Sequence, residues 1–147
     1  MTVTYKVELF PTNVKQEPWK SLFDAHGIEV RNQPFDLDVA HIKYLESKNR
    51  LIWVVAREGD KILGYALFSW YRDLHYNKRC GSDLSWFVIP ERRKDGIGQK
   101  LKEIGHDWLK SCGVKQTYDR IREAYHHPKL MDVIGFKPDG TIWIKDL

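Results

Sequence analysis

Leu51 to Arg57, an apolar and β-branched run, and Ile62 to Trp70, a second apolar run, are divided by Glu58-Gly59-Asp60-Lys61, a pattern that predicts two strands joined by a tight turn. Leu84 to Ile89 is a third such run, and Pro90 stops it by removing a donor that a sheet would need. The period then changes. Ile97, Leu101, Ile104, Trp108 and Cys112 recur at helical spacing, while Lys100, Lys102, Glu103, Asp107 and Lys110 fall mostly on the other side, which predicts one buried and one wet face.

Weaker patterns fill the rest. Val3 to Phe10 alternates as an opening strand ended by Pro11. A helix is expected from Pro18, with Trp19, Leu22 and Phe23 as its stripe and Gly27 as its C-terminal cap. Phe35, Val39, Ile42 and Leu45 mark a second helix through about Glu46. Tyr71 to Gly81, polar, aromatic and basic, is long enough to be a functional rim; His75 and Tyr76 either line a pocket or shield a sheet edge. Gly113 stops the amphipathic helix before a strand over Val114 to Arg120. Pro128 opens a short helix closed by Gly135-Phe136, and Thr141 to Lys145 reads as a last strand. The predicted order is β, α, α, β, β, β, α, β, α, β, a mixed α/β chain.

At 147 residues the chain suits one domain spanning 1–147. Apolar residues at 42% and charged residues at 30% place it among globular proteins, with no run long enough for a membrane span and no signal-peptide pattern, which points to the cytoplasm. Cys80 and Cys112 have neither metal nor disulfide-framework spacing and read as small core or hairpin residues, and no metal is expected. The net charge of +4 permits nucleic acid, through Arg92, Arg93, Lys94, Lys100 and Lys102, but suits a multiply phosphorylated coenzyme equally well.

The candidate chemistry sits between the third strand and the amphipathic helix, in Arg93-Lys94-Asp95-Gly96-Ile97-Gly98. Glycines let the backbone bend and let a ligand approach main-chain amides, and a helix starting there offers unpaired N–H groups to an anion such as a diphosphate. A P-loop would end Gly-Lys-Ser/Thr, and a dinucleotide fingerprint would carry a third glycine where Leu101 stands. What is left, Arg-x-x-Gly-x-Gly after Val-Ile-Pro-Glu-Arg, resembles the GNAT superfamily of acyl-CoA N-acetyltransferases.

The resemblance covers nearly the whole chain, although only this strand–turn–helix signature is specific. It implies a GNAT fold, with a mostly antiparallel sheet of six to seven strands, splayed at the coenzyme site and flanked by about four helices. It implies acetyl-CoA as co-substrate, its diphosphate on Arg92, Arg93, Lys94, Asp95, Gly96, Ile97, Gly98 and Gln99, and its pantetheine arm along Phe87, Val88 and Ile89. The Val88 N–H is the choice for polarising the thioester carbonyl. The acceptor is an unidentified small-molecule or protein amine attacking directly in a ternary complex, and the protein is a monomer or homodimer.

Attack requires a neutral amine, although a lysine-type amine has a pKa near ~10.4, and the departing thiolate gains from a proton donor. In many relatives that donor is a tyrosine four residues before the Gly-Phe pair; here Met131 stands there and cannot donate. Tyr125 is the first substitute and His126 the second, with His127 beside them, though both histidines equally suit helix capping or exposure. Asp83 is a base, acting directly or through water, or a solvated strand-end residue. The alternative to an enzyme is a catalytically silent acyl-CoA-binding module, which Met131 keeps open.

Overall fold

The computed structural model describes residues 2–121 and 128–147. One sheet contains β1 (Val3–Glu8), β2 (Leu51–Glu58), β3 (Lys61–Arg72), β4 (Arg79–Val88) and β5 (Thr117–Asp119) in that spatial order. The first four pair antiparallel, and β5 joins β4 in parallel. The helices are α1 (Trp19–Arg31), α2 (Val39–Ser47), α3 (Ile97–Ser111) and α4 (Pro128–Ile134), with a 3-10 turn over Pro90–Arg92.

Leu51 to Ala56 and Ile62 to Phe68 are buried without a break, because both faces of the central strands are covered. On one face Phe23 of α1 meets Phe10, Trp19, Trp53 and Tyr65 ring to ring. On the other face α3 lies so close that a Cβ on Gly105 would fall 2.1 Å from the Phe68 ring. Glycine is required there by contact.

Several expectations need correction. The described sheet has five strands rather than six or seven: Val114 to Arg120 contracts to Thr117–Asp119, and Thr141 to Lys145 forms no strand. Ile142 and Trp143 are exposed, and the segment pairs with none of the described strands. Gly27 does not cap α1, which runs on to Arg31 and ends on the left-handed Asn32. Gly27 is small because the chain folds back over the helix, putting Gln33 O 2.5 Å and Phe35 N 2.7 Å from where its Cβ would lie. α2 begins at Val39, not Phe35, where the Asp38 side chain accepts from the His41 N–H at 3.0 Å. The expected connection over residues 71 to 81 is shorter: its two ends belong to β3 and β4, where Arg72 pairs with Arg79, and Asp73 closes the loop between them by accepting from the His75 and Tyr76 N–H groups. Lys102, placed on the wet side of α3 by its charge, is fully buried. Its position continues the stripe Gly98, Gly105, Leu109.

Candidate active site

β4 and β5 pair only from Gly81 to Asp83, opposite Thr117 to Asp119. At the next residue β4 carries a bulge: Asp83 faces Phe68 and Ser85 faces Leu67, which leaves Leu84 unpaired and half exposed. Beyond the bulge the outer edge of β4 has no strand beside it among the described residues.

The direction of the main-chain groups on that edge follows from the ladder. The Ile89 N–H donates to Leu63 O at 2.9 Å, so Leu63/Ile89 and, two residues on, Tyr65/Phe87 are the hydrogen-bonded pairs. The N–H and C=O groups of Trp86 and Val88 therefore turn away from β3 into the open notch. Of Phe87, Val88 and Ile89, only Val88 presents its backbone there. Trp86 does so too; period-two reasoning from Val88 would have included it. The Phe87 ring points to the α1 face and stacks on His26, with centroids 4.9 Å apart.

The turn into α3 closes one end of the notch. Gly96 takes φ +76, a left-handed conformation suited to glycine, and a Cβ there would meet nothing within 4 Å. It stands at the N-cap with no side-chain hydrogen bond, leaving the first turn over Ile97, Gly98 and Gln99 without a side-chain cap. Gly98 is small for another reason. Its Cβ would lie 2.7 Å from the Trp86 ring, whose Nε1 donates to Gly98 O at 3.1 Å.

The basic residues of the turn have unequal roles. Arg92 forms a bidentate pair with Glu58, both contacts 3.2 Å, and binds Asp95 as well. Arg93 donates from Nε to Val88 O at 2.9 Å and from Nη2 to Glu29 of α1 at 2.5 Å, tying the turn to strand and helix. Lys94 is exposed. Gln99 donates to Glu103 at 3.1 Å. Arg92, Arg93 and the buried Lys102 are thus engaged internally, which removes three of the five cations that a nucleic-acid surface would use.

The other end of the notch is charged. Lys102 donates to Asp83 Oδ2 at 2.9 Å and to Asp119 Oδ2, joining the last paired residues of β4 and β5. Asp83 also accepts from Thr117 Oγ1 at 2.6 Å and lies 2.8 Å from His106 Nε2. The Lys102 ammonium lies 4.8 Å from the centroid of the Trp86 ring and 5.4 Å from that of Phe136. Burial alone would raise the Asp83 pKa, yet the His106 hydrogen bond, the Lys102 charge and Thr117 together hold it below the usual range. Asp119 moves the other way: burial raises it, the neighbouring Asp83 charge adds to that, and Lys102 only partly compensates. Asp83 is thus enclosed rather than solvated, with both oxygens engaged.

On the α1 face, His26 Nδ1 lies 2.7 Å from Tyr65 Oη, and burial pushes the histidine down to about 4. Met131 is buried at the position of the usual acid. Tyr125, His126 and His127 lie outside the described residues. His75 and Tyr76 are exposed on the β3–β4 loop. Among the described residues no group of three or more His, Cys, Asp or Glu side chains is placed to hold a metal, and no helix is long and apolar enough to cross a membrane.

A family model for the acetyltransferase (GNAT) family matches residues 13–127, and the chain belongs to that family. A search of curated proteins found no match. Among solved structures, glucosamine-6-phosphate N-acetyltransferase from Arabidopsis thaliana shares the fold with a TM-score of 0.75 at 14% identity, over 97% of this chain and 98% of that one. A predicted acetyltransferase from Clostridium acetobutylicum, solved with acetyl-CoA, gives 0.75 at 15%, over 99% and 96%. An aminoglycoside acetyltransferase from an uncultured soil metagenomic sample, in complex with sisomicin, gives 0.72 at 16%, also over 99% and 96%.

Proposed function

We propose that this acetyltransferase-family chain moves an acetyl group from acetyl-CoA to a primary amine by direct attack in a ternary complex. The observation that carries this is the notch itself: an uncapped helix start at one end, and along one side a strand edge whose Trp86 and Val88 N–H groups face outward. The first turn of α3 and Lys94 suit a diphosphate. From there an extended arm lies beside β4 as an added strand, meeting Val88 first and Trp86 next. The carbonyl-polarising donor then falls to Trp86, nearer the strand junction, and Val88, the choice from sequence, aligns the arm.

The acceptor class is an amine, as with the aminoglycoside and amino-sugar enzymes that share the fold. Carbonyl polarisation requires no side chain, whereas Met131 leaves the departing thiolate without the usual proton donor.

The test measures thiol release from acetyl-CoA with a panel of amines, with mass spectrometry of the products and calorimetric binding of acetyl-CoA in parallel. Binding with turnover is expected. Binding without turnover for any amine would instead favour a silent acyl-CoA module, and absence of binding would remove the reading altogether.

A further inference from the structure

Charges are seldom buried in a core unless they are paired, and α3 carries one at a particular place. Lys102 is wholly inaccessible, and its ammonium joins Asp83 to Asp119, the pair at which β4 and β5 cease to run together. The notch opens from that junction, so an arm lying along Val88 and Trp86 points its end toward it. Lys102 brings one positive charge against two carboxylates. The cluster therefore has one negative charge in excess, and His106, hydrogen-bonded to Asp83, is its most exposed ionisable member.

A proton can neutralise that excess in two places. On His106 it makes an imidazolium against Asp83; on Asp119 it makes a neutral acid against Lys102. Burial raises the proton affinity of Asp119, which keeps the second place accessible. The groups around His106 define its field. Lys102 lies one turn before it, and Glu103, Asp107 and Lys110 share its outer surface on α3. Among the described residues, β4 and β5 supply Asp83 and Asp119, α4 brings Val133 and Ile134, and β3 and the segment after α4 present the rings of Phe68 and Phe136.

Resting on the acetyl-transfer reading above, we propose that His106, set by Asp83, Lys102 and Asp119, carries the proton exchanged between the attacking amine and the departing thiolate. The amine nitrogen bonds to the thioester carbon, and the carbon–sulfur bond breaks with its electron pair going to sulfur. The nitrogen gives up one proton and the sulfur takes one. The cluster accepts the first and returns the second, so it ends as it began. His106 thereby fills the place that Met131 leaves without a donor, and Asp83, which the sequence left open as a base or a solvated strand-end residue, works through the histidine.

The decisive variant is His106→Gln, which keeps a hydrogen bond to Asp83 but cannot titrate in the working range. With the fastest amine of the panel, kcat is expected to fall about 100-fold while the calorimetric Kd for acetyl-CoA stays within about twofold. One limb of the wild-type kcat profile against pH should flatten in the variant. Asp119→Asn, which removes the excess charge yet can still accept from Lys102, should move that limb to lower pH in an enzyme that otherwise keeps His106. An unchanged kcat and pH profile in His106→Gln would overturn the proposal, as would parallel losses of kcat and acetyl-CoA affinity, the mark of a structural role. A wild-type protein that fails to bind acetyl-CoA would instead defeat the reading on which it rests.

Discussion

The two faces of the sheet solve the same burial problem with different materials. Beneath α1, Phe10, Trp19, Phe23, Trp53 and Tyr65 form a continuous aromatic layer, and its polar atoms are few: the His26–Tyr65 hydrogen bond and a Trp53 indole N–H that has no partner among the described residues. Beneath α3, the apolar packing of Ile97, Leu101 and Leu109 is interrupted at Lys102 by an ionic cluster spanning the strand junction. Apolar burial is non-directional, so the first face needs volume and shape. The second requires particular partners at particular distances, because a buried charge without them is costly. A directional device is placed where two strands must separate at a defined residue.

Removing one partner of that device should have the largest effect on the fold. Lys102→Ala leaves Asp83 and Asp119 buried without their cation and is expected to cost about 3–5 kcal/mol, read as a lower urea midpoint. A midpoint within error of wild type would mean that the cluster does not hold the strands.

On the aromatic face the corresponding sensitivity is to acid. The His26 pKa falls from 6.5 in the unfolded chain to about 4 in the folded one. Between those values the unfolded state binds more protons, so the associated stability is complete above pH 6.5 and disappears as pH drops to about 4. The shift corresponds to about 3 kcal/mol. His26→Gln should lack this loss, and urea midpoints at several pH values compare the two proteins.

Gly27→Ala gives a smaller effect, with a sign that separates packing from propensity. In an unobstructed helix interior the change gains about 1 kcal/mol. Here the new methyl would press on Gln33 O and Phe35 N, and a loss of about 1–3 kcal/mol is expected in thermal or urea unfolding. The smallest change belongs to the open end of the notch. Lys94→Ala should weaken acetyl-CoA binding by about 0.5–1 kcal/mol, an effect that shrinks with added salt in a calorimetric titration.

The same contrast explains what could be read from the chain. The β2–β3 hairpin, the stop at Pro90, the helix from Ile97 and the short helix from Pro128 were legible because each rests on local period and punctuation. Gly27 misled because its need for smallness comes from residues 33 and 35 folding back, a contact that no cap rule contains. Gly98 was rightly singled out, but its small size is set by Trp86, twelve residues earlier in the chain. Lys102 was assigned to the wet face on its charge alone. Its place on the stripe Gly98, Gly105, Leu109 was visible, but the carboxylates that make its burial tolerable lie on β4 and β5. The last strand expected at Thr141 has the right residues, yet it pairs with none of the described strands.

The central claim is that acetyl-CoA lies along the bare edge of β4. A crystal structure with CoA tests it most directly: the diphosphate should sit on the first turn of α3, and the pantetheine amides should pair with the main chain of Trp86 and Val88. A coenzyme bound with its arm outside the notch and those two N–H groups left to solvent would contradict the account.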